Sequence, residues 1–304
     1  MRILISGSSG LIGSAISVAL TREGHTVGRL VRPTSSAHST SAQVGDVRWD
    51  PVAGAFDAAA AEGTDAVVHL AGASIAGGRW TAARKRLLRT SRIEATRHLV
   101  ESLGALTRPP RIFLCASAIG YFGDRGDESL DEQSAPGTNF LAKLTQDWER
   151  EQAAAARFGA RVVSMRFGIV LAGSGGALPR MAMPFKFGAG GRLGSGRQWM
   201  SWIALRDVVG IAKFALANAA LAGPVDAVAP EPMRNADFTR ALAEVLHRPA
   251  IFPAPAFALR LALGEMADAL LLSSQRVFPR RLQESRYGFE QTDLRAALRE
   301  ALGR

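Results

Sequence analysis

The chain has 304 residues and 47% hydrophobic content, which suits one large domain, or a domain with a smaller lobe, around a buried core. Its single cysteine, Cys115, excludes an intramolecular disulfide and favours a reducing, cytoplasmic setting. The net charge of +10 is compatible with phosphorylated ligands, an anionic surface or nucleic acid, but no nucleic-acid-binding motif is present.

Two apolar segments are poor candidates for membrane or export signals. The opening run MRILISGSSG breaks into glycines and lacks the layout of a signal peptide. The longest apolar stretch, residues 254–274, contains Arg260, Glu265 and Asp268, which a spanning helix tolerates poorly. We therefore expect packed helices over 254–274 and no membrane contact.

The first half of the chain alternates short β-branched runs with helical patterns, which is typical of a parallel sheet with crossover helices. Strands are predicted at 2–6, 26–31, 44–49, 65–71, 111–117 and 160–168. Helices are predicted at 11–23, 80–104 and 139–158. This order predicts an α/β fold with a Rossmann-type, doubly wound parallel sheet.

The second half has a different texture. Residues 169–204 are glycine-rich, with aromatic and basic residues interspersed, as in ligand-facing loops; a helix (205–219) and a strand (224–229) follow. From Asp237 the pattern is mostly helical, interrupted by RPAIFPAP. We predict a sheet domain over 1–230 and a mostly helical lobe over 231–304, with the loops 169–204 contributing to the lobe. Both would cover the carboxyl edge of the sheet, where open α/β sheets bind ligands.

The segment ISGSSGLIGSAI spaces Gly7, Gly10 and Gly13 as G-x-x-G-x-x-G between a strand and a helix. Such glycines allow a tight turn, close approach of a pyrophosphate, and close packing of the helix on the strand. The helix amino end then offers free N–H groups to phosphates. The pattern predicts dinucleotide binding by the three glycines together with Ser9, Leu11 and Ile12.

The end of the second predicted strand bears on which dinucleotide binds. An acidic residue there would bind both ribose hydroxyls and favour NAD(H). The sequence GRLVRPTSS instead has Arg29 and Arg32 and no acid among these residues. A guanidinium at Arg32 suits a 2′-phosphate, so the expected cofactor is NADP(H), with NAD(H) as the alternative.

These motifs resemble the extended branch of the short-chain dehydrogenase/reductase superfamily, which is epimerase/dehydratase-like. The segment HLAGASIAGGRW resembles the family stretch in which Leu70, Ala71 and Gly72 would line the adenosine and ribose. CASAIGYFGD resembles the motif of the fifth strand, with Ser117 at the active-site serine position. Over nearly the whole chain the sequence is similar to one subgroup, often labelled "epimerase family protein", with a conserved C-terminal domain of unassigned function.

The sequence departs from the superfamily at one catalytic position. The superfamily uses a tyrosine as general acid/base and a lysine four residues later, which binds the nicotinamide ribose. Here Lys143 holds the lysine position, but Asn139 stands where the tyrosine would be, and an amide does not shuttle protons near pH 7. The candidate replacement is Tyr121, four residues after Ser117, provided a cation such as Lys143 lies near it. Other candidate acids are Asp124, Asp127 and Glu128 of GDRGDE, for which a role in capping or hydrogen-bonding the loop is the alternative. The predicted catalytic set is thus Ser117, Tyr121 and Lys143.

Two further groups are candidates for ligand contact. Arg92 occupies the position of an asparagine that faces the active site in the extended branch, so it would bind a cofactor phosphate or a substrate carboxylate. The segment GSGRQWMSWI supplies a set suited to enclosing a polar substrate: Arg197, Gln198, Trp199 and Trp202. His69 has no second ligand at metal-binding spacing, so we expect a buried histidine and no metal site.

Two functions remain open from the sequence. The first is an NADP(H)-dependent oxidoreductase or epimerase with a non-standard proton donor, acting on a small polar substrate, anionic or sugar-like in character. The second is an NADPH-binding sensor or scaffold without turnover. A third function, nucleic-acid binding through the basic run 79–92, is the least favoured, because no recognised motif supports it. Salt-dependent DNA retention that NADPH does not affect would support it. The expected assembly is a monomer or a homodimer.

Overall fold

The computed structural model describes residues 1–32 and 45–304. A seven-stranded sheet forms its centre, with β1 (Arg2–Ser6), β2 (Thr26–Val31), β3 (Val47–Arg48), β4 (Ala66–His69), β5 (Ile112–Ala118), β7 (Arg161–Phe167) and β11 (Gly223–Ala227). The strand order is β11-β7-β5-β4-β1-β2-β3, and every neighbouring pair is parallel. The predicted Rossmann-type α/β class is confirmed.

Helices cover both faces of this sheet and form most of the C-terminal region. They are α1 (Leu11–Arg22), α2 (Ala58–Ala61), α3 (Ala82–Arg89), α4 (Ala95–Gly104), α5 (Phe140–Ala153), α6 (Leu178–Lys186), α7 (Leu205–Ala217), α8 (Asn235–Leu246), α9 (Ala256–Leu263), α10 (Glu265–Ala267), α11 (Arg280–Glu284) and α12 (Leu294–Leu302). Single turns of 3₁₀ helix lie at Ile119–Phe122 and Ala154–Phe158, and π-helical turns at Thr90–Glu94 and Asp268–Leu272.

Six short strands tie the loops of the carboxyl edge together: β6 (Ser129–Leu130), β8 (Ile169–Leu171), β9 (Trp199–Met200), β10 (Trp202–Ala204), β12 (Met233–Arg234) and β13 (Arg276–Val277). They pair as β8 with β10, β9 with β12, and β6 with β13. The last two pairs join segments on either side of residue 230, so the C-terminal region is hydrogen-bonded to the sheet domain. The division at residue 230 stays a prediction.

Apolar burial separates the molecule into layers. One face of the sheet packs on α1 and α7 through a cluster that includes Ile16, Val208 and Ile211. The opposite face packs on α4 through Leu99 and Leu103, in a cluster that also holds the fully buried Cys115. Desolvation raises the pKa of that thiol well above its ordinary value, which confirms Cys115 as a core residue rather than a reactive one.

Two predicted elements differ from the structure. The predicted strand 44–49 is reduced to Val47–Arg48, and residue 44 lies outside the described residues. The predicted helix 80–104 contains the π-helical turn Thr90–Glu94, an extra-wide turn that periodicity does not reveal. Such turns are frequent at functional sites, and this one contains Arg92.

Candidate dinucleotide site and the network beside it

Two glycines of the turn after β1, Gly7 and Gly13, are packed too tightly for a side chain. A Cβ on Gly13 would overlap the carbonyl oxygen of Gly7, so α1 can approach β1 only with glycine at that position. Gly7 has φ +69°, and a Cβ there would lie 3.0 Å from the backbone of Leu70 and Ala71. The N–H of Gly10 donates to Gly7 O at 3.0 Å and closes the turn. We call Gly7, Gly10, Gly13 and the adjoining Leu70–Ala71 backbone the glycine cradle.

The other residues predicted for the cofactor surround this cradle. Ser9 is exposed in the turn, and Leu11 and Ile12 begin α1, whose first N–H groups point out of the carboxyl edge. The loop after β8 reaches the same place, because a Cβ on Gly176 would lie 3.2 Å from the Leu11 side chain. Part of the glycine-rich segment 169–204 therefore covers the start of α1, as the sequence predicted.

A buried polar chain fixes the cradle from below. Ser6 Oγ accepts the N–H groups of Leu70 and Ala71 at 3.0 and 3.2 Å and bonds to His69 Nδ1 at 2.7 Å. His69 Nε2 lies 3.0 Å from Thr96 Oγ1. Desolvation lowers the pKa of His69 to about 4, so its imidazole is neutral at pH 7. The expectation of a satisfied, buried histidine is confirmed, and its task is to position the β4 loop.

The end of β2 presents the two predicted arginines in different states. Arg29 binds Asp46 through two nitrogens, at 2.9 and 2.5 Å, so that carboxylate is already engaged. Arg32 is exposed directly after the strand, within electrostatic range of Asp50. Asp46 and Asp50 lie outside the segment GRLVRPTSS, but in the structure they are close to these two arginines. The expectation of a strand end without acidic residues is therefore corrected.

Arg92 lies where the loop after β4 meets α5. Its guanidinium carbon is 5.1 Å from the Trp148 ring centroid and would be 3.2 Å from a Cβ placed on Gly72. Gly72 is exposed, so the guanidinium reaches the surface beside a residue without a side chain. Burial, with a smaller contribution from Arg84, lowers the pKa of Arg92 to about 10.

The carboxyl end of β5 leads into a buried ion-pair network. Ser117 Oγ donates to Glu149 Oε1 at 2.5 Å, and Arg166 binds both oxygens of Glu149 at 2.8 Å. The Arg166 guanidinium carbon lies 3.5 Å from the Tyr121 ring centroid. The cation beside Tyr121 is therefore Arg166, whereas the sequence suggested Lys143. We call Ser117, Glu149, Arg166 and Tyr121 the β5 network.

A second carboxyl group, Asp226 on β11, lies beside Arg166 in the sheet register. It is fully buried, and neither carboxyl oxygen has a hydrogen-bond partner among the residues that the structure describes. Desolvation, reinforced by the nearby Glu132, raises the pKa of Asp226 well above its ordinary value. Burial therefore favours the neutral form of the Asp226 carboxyl group at the edge of the β5 network.

Because its folded-state pKa is raised, Asp226 makes the fold less stable as pH rises above the unfolded-state value near 3.8. Asp226→Asn is expected to raise the free energy of unfolding by about 1–3 kcal/mol at pH 8 and to have little effect below about pH 4. Urea unfolding at several pH values measures this. The exposed Asp237→Asn is the control and is expected to show no such trend. A loss of stability in D226N that is present at neutral pH and shrinks as the pH falls would mean that an ionised Asp226 pairs with Arg166.

The start of α5 differs from the expectation of a modified catalytic helix. Asn139 is the N-cap, with its Oδ1 accepting the Ala142 N–H at 2.9 Å. Lys143 is exposed and lies on the side of α5 roughly opposite the buried positions Leu141 and Thr145. Among residues 1–32 and 45–304, Lys143 forms no hydrogen bond with Ser117 or Tyr121, and its role at the nicotinamide ribose stays a prediction. Leu141 is the residue of the first turn that packs toward β5, against Gly120.

The four predicted substrate contacts separate into two groups. Trp202 has no exposed surface and donates its indole N–H to Glu231 O, and Gln198 donates to Leu193 O and Leu271 O. The prediction of substrate contact is wrong for Trp202, and Gln198 joins loop to lobe instead. Trp199 lies between Arg234 and Arg276, at 4.2 and 4.7 Å, and Arg197 is exposed beside it.

Sequence reasoning missed the members of the β5 network other than Ser117 and Tyr121. Arg166 and Asp226 are charged residues inside otherwise apolar strands, and such residues are seldom buried without a partner or a function. That signal was present in VVSMRFG and PVDAVA. The partner Glu149 could not be identified in the same way, because it lies on a helix 17 residues away in sequence.

Two features are absent from residues 1–32 and 45–304. Within them, no group of three or more His, Cys, Asp or Glu residues is arranged to hold a metal ion. Over the same ranges, no helix combines the length and the apolar character needed to cross a membrane.

A parallel seven-stranded sheet with a glycine cradle between β1 and α1 defines a Rossmann-type nucleotide-binding protein. Comparison with known proteins identifies the family: residues 3–228 match the NAD dependent epimerase/dehydratase family, and the chain belongs to it. Residues 254–301 match a domain of unknown function, DUF1731. The predicted epimerase-like subgroup is confirmed.

The similarity to individual proteins extends over whole chains. An epimerase family protein of Mycobacterium bovis is 44% identical over 97% of this chain and 96% of its own length. YfhF, an epimerase family protein of Bacillus subtilis, is 36% identical over 99% and 98%. The crystal structure of human epimerase family protein SDR39U1 (isoform 2) with NADPH is 31% identical and covers 100% of this chain and 99% of its own, with a TM-score of 0.88.

Proposed function

We propose that this protein is an NADP(H)-dependent oxidoreductase or epimerase that acts on a small polar substrate. The observation that carries the proposal is the glycine cradle, in which a Cβ at Gly13 would overlap Gly7 and close the approach to the α1 amino end. The residues present fit a dinucleotide: Gly7, Gly10 and Gly13 with the first N–H groups of α1 would hold the diphosphate. The solved human relative, described as a complex with NADPH, supports the same cofactor.

The preference for NADP(H) depends on Arg32. Its guanidinium is exposed at the end of β2, where the 2′-position of an adenosine ribose lies in Rossmann proteins. Asp46, the acid that β2 contacts, has its carboxylate engaged by Arg29 and is almost fully buried, so it is not available to a ribose diol. A phosphate on Arg32 is therefore favoured over a free ribose hydroxyl.

The proton chemistry is assigned to the β5 network. A bound nicotinamide supplies or accepts a hydride, and the protein must then move a proton on the substrate oxygen. Tyr121 is partly exposed, and its hydroxyl has no hydrogen-bond partner among the described residues. Ser117 has its own proton committed to Glu149, so it can only accept a hydrogen bond from a substrate hydroxyl. We propose Tyr121 as the proton donor, with Arg166 beneath its ring stabilising negative charge.

One observation favours the second candidate, an NADP(H)-binding protein without turnover. On α5, the two positions available to replace the missing tyrosine are Asn139, which is used as the N-cap, and Leu141, which is apolar and buried. Neither can exchange a proton. In this alternative Tyr121 and the β5 network serve stability alone.

Cofactor binding and turnover test the proposal separately. Titration with NADPH and NADH, followed by nicotinamide fluorescence, is expected to show tighter binding of NADPH. Arg32→Ala should weaken NADPH roughly tenfold or more and leave NADH unchanged, since it removes one charge-assisted contact. Arg22→Ala, at the other end of α1, is the control with no expected effect.

A panel of small aldehydes, ketones and alcohols then measures NADPH oxidation or NADP⁺ reduction. Turnover that Tyr121→Phe reduces at least a hundredfold supports the enzyme. Tight NADPH binding with no turnover across the panel supports the second candidate. If neither nucleotide binds, both candidates are wrong.

A further inference from the structure

Two arginines lie under the loop that follows β4 at the carboxyl edge of the sheet. Arg84 on α3 donates through its NH2 group to Ser74 O, and Arg92 in the π-helical turn lies against Gly72. They are close enough for Arg84 to lower the pKa of Arg92. We call Arg84 and Arg92 the arginine pair.

The arginine pair has no acidic partner within the described ranges, and neither does the exposed Arg86, whereas three other basic residues of the same helical segment do. Lys85 pairs with Glu265, Arg89 with Asp147 and Arg97 with Glu151. These neighbouring ion pairs show that the fold places acids along this segment and leaves the arginine pair without one.

Several N–H donors of the arginine pair also lack an acceptor among the described residues, which again indicates room for an anion. Nε of Arg84 is buried without an acceptor. Over the described part of the chain, the guanidinium of Arg92 donates one long hydrogen bond, from Nη1 to Leu88 O at 3.5 Å. Two like charges held together with unused donors destabilise the free protein, and an anion bound between them would relieve both costs.

The surroundings of Arg92 hold its guanidinium ready for such an anion. The Trp148 ring, 5.1 Å from the guanidinium carbon, lies within cation–π range, and Gly72 on the other contact is exposed and carries no side chain that would cover the guanidinium. A guanidinium in this position is suited to binding two oxygens of a carboxylate or phosphate side by side.

The arginine pair lies next to Gly72, which is predicted to line the cofactor ribose, but its other contacts favour the substrate side of the site. The glycine cradle supplies its own N–H groups for the cofactor diphosphate at the start of α1. The arginine pair lies instead between the β4 loop and α5, and Ile93, the next residue, packs in one cluster with Met266 of the C-terminal region. This is the boundary between the sheet domain and the smaller lobe, where such folds enclose the substrate.

We propose that the arginine pair binds an oxyanion of the substrate, a carboxylate or a phosphate. This inference rests on the proposed function, because it assumes that the dinucleotide occupies the glycine cradle. The substrate of this protein is then an acidic metabolite, and its anionic group is held at a point fixed relative to Tyr121.

The test uses full-length protein saturated with NADPH and inorganic phosphate as the probe, at constant ionic strength. Isothermal titration is expected to show saturable phosphate binding, and Arg92→Met and Arg84→Met should each weaken it at least tenfold. NADPH affinity should stay within twofold of wild type in both variants. The control Arg86→Met alters an exposed arginine of the same helix and should change neither affinity.

Three outcomes separate the inference from the proposed function. Loss of NADPH affinity in R92M would assign the arginine pair to the cofactor and overturn the inference while leaving the proposed function standing. Absence of phosphate binding to the NADPH-saturated wild type would overturn the inference alone. Failure of wild type to bind NADPH would overturn the proposed function itself. Arg92→Lys, which keeps the charge and loses the two-pronged geometry, should bind phosphate more weakly than wild type even if R92M folds poorly.

Discussion

Gly13→Ala is expected to abolish NADPH binding and to lower the free energy of unfolding by about 1–3 kcal/mol. The added methyl would overlap the carbonyl oxygen of Gly7, and the neighbouring atoms are all backbone, so no side chain can rotate away. Relief requires α1 to move off β1. That movement displaces the helix N–H groups that the diphosphate needs. Nicotinamide fluorescence titration and urea unfolding measure the two effects.

Gly288→Ala is the matched control for this change. Gly288 has no positive φ, and an added Cβ would meet nothing within 4 Å. Its stability and NADPH affinity should equal those of wild type. If Gly13→Ala binds NADPH normally, the tight packing of α1 on β1 is not what forms the nucleotide site, and the proposed function loses its main support.

The fold was predictable because its signals are local and repeated. Alternation of β-branched runs with helical patterns specifies parallel crossover units, and a glycine turn at the first of them marks the carboxyl edge. Neither signal depends on contacts distant in sequence. The strands of the central sheet therefore agree closely with prediction, except at the short β3, where little apolar sequence specifies the pairing.

At the start of α5 the local helix signals and the superfamily spacing suggest different roles for Asn139 and Lys143. Asn139 precedes the helical pattern directly, and asparagine is among the preferred N-cap residues. The apolar spacing of Leu141, Leu144 and Trp148 also sets the buried face, which leaves Lys143 on the other side. Both signals were in the sequence, and the superfamily spacing outweighed them in our interpretation.

The remaining features of the site depend on contacts that no local pattern contains. The π-helical turn that carries Arg92 reflects one extra residue in a helix, which periodicity averages away. Asp46 and Arg29 are 17 residues apart in sequence and meet only because β2 and the segment before β3 are adjacent. Partner choice among charged residues is therefore visible only once the sheet is assembled.

The β5 network connects the candidate proton donor to the stability of the sheet. Arg166 is almost fully buried and is the common partner of Glu149 and Tyr121. Burial lowers the pKa of Arg166, but the Glu149 carboxylate more than offsets this, so the net shift is upward. The guanidinium thus stays charged, and the fold depends on its pairing with Glu149.

Arg166→Met is accordingly expected to lower the free energy of unfolding by about 3–5 kcal/mol, because it leaves Glu149 charged, nearly buried and without its cation. The double variant Arg166→Met/Glu149→Gln should recover much of that loss, since a neutral amide can still accept the Ser117 hydrogen bond. Urea unfolding of both single variants and the double variant gives the coupling energy.

Arg161→Met controls for the loss of an arginine from the same strand. Among the described residues, Arg161 donates to the carbonyls of Leu221 and Leu216 and to no carboxylate. Its removal therefore leaves no buried charge unpaired and should lower the free energy of unfolding far less. If the losses of R166M and E149Q simply add, the two side chains do not act as a pair. In that case Arg166 would not be expected to be held beneath the Tyr121 ring, because its position there depends on the two-pronged bond to Glu149. Strong coupling would instead make the stability of the sheet and the placement of the candidate proton donor two consequences of one buried ion pair.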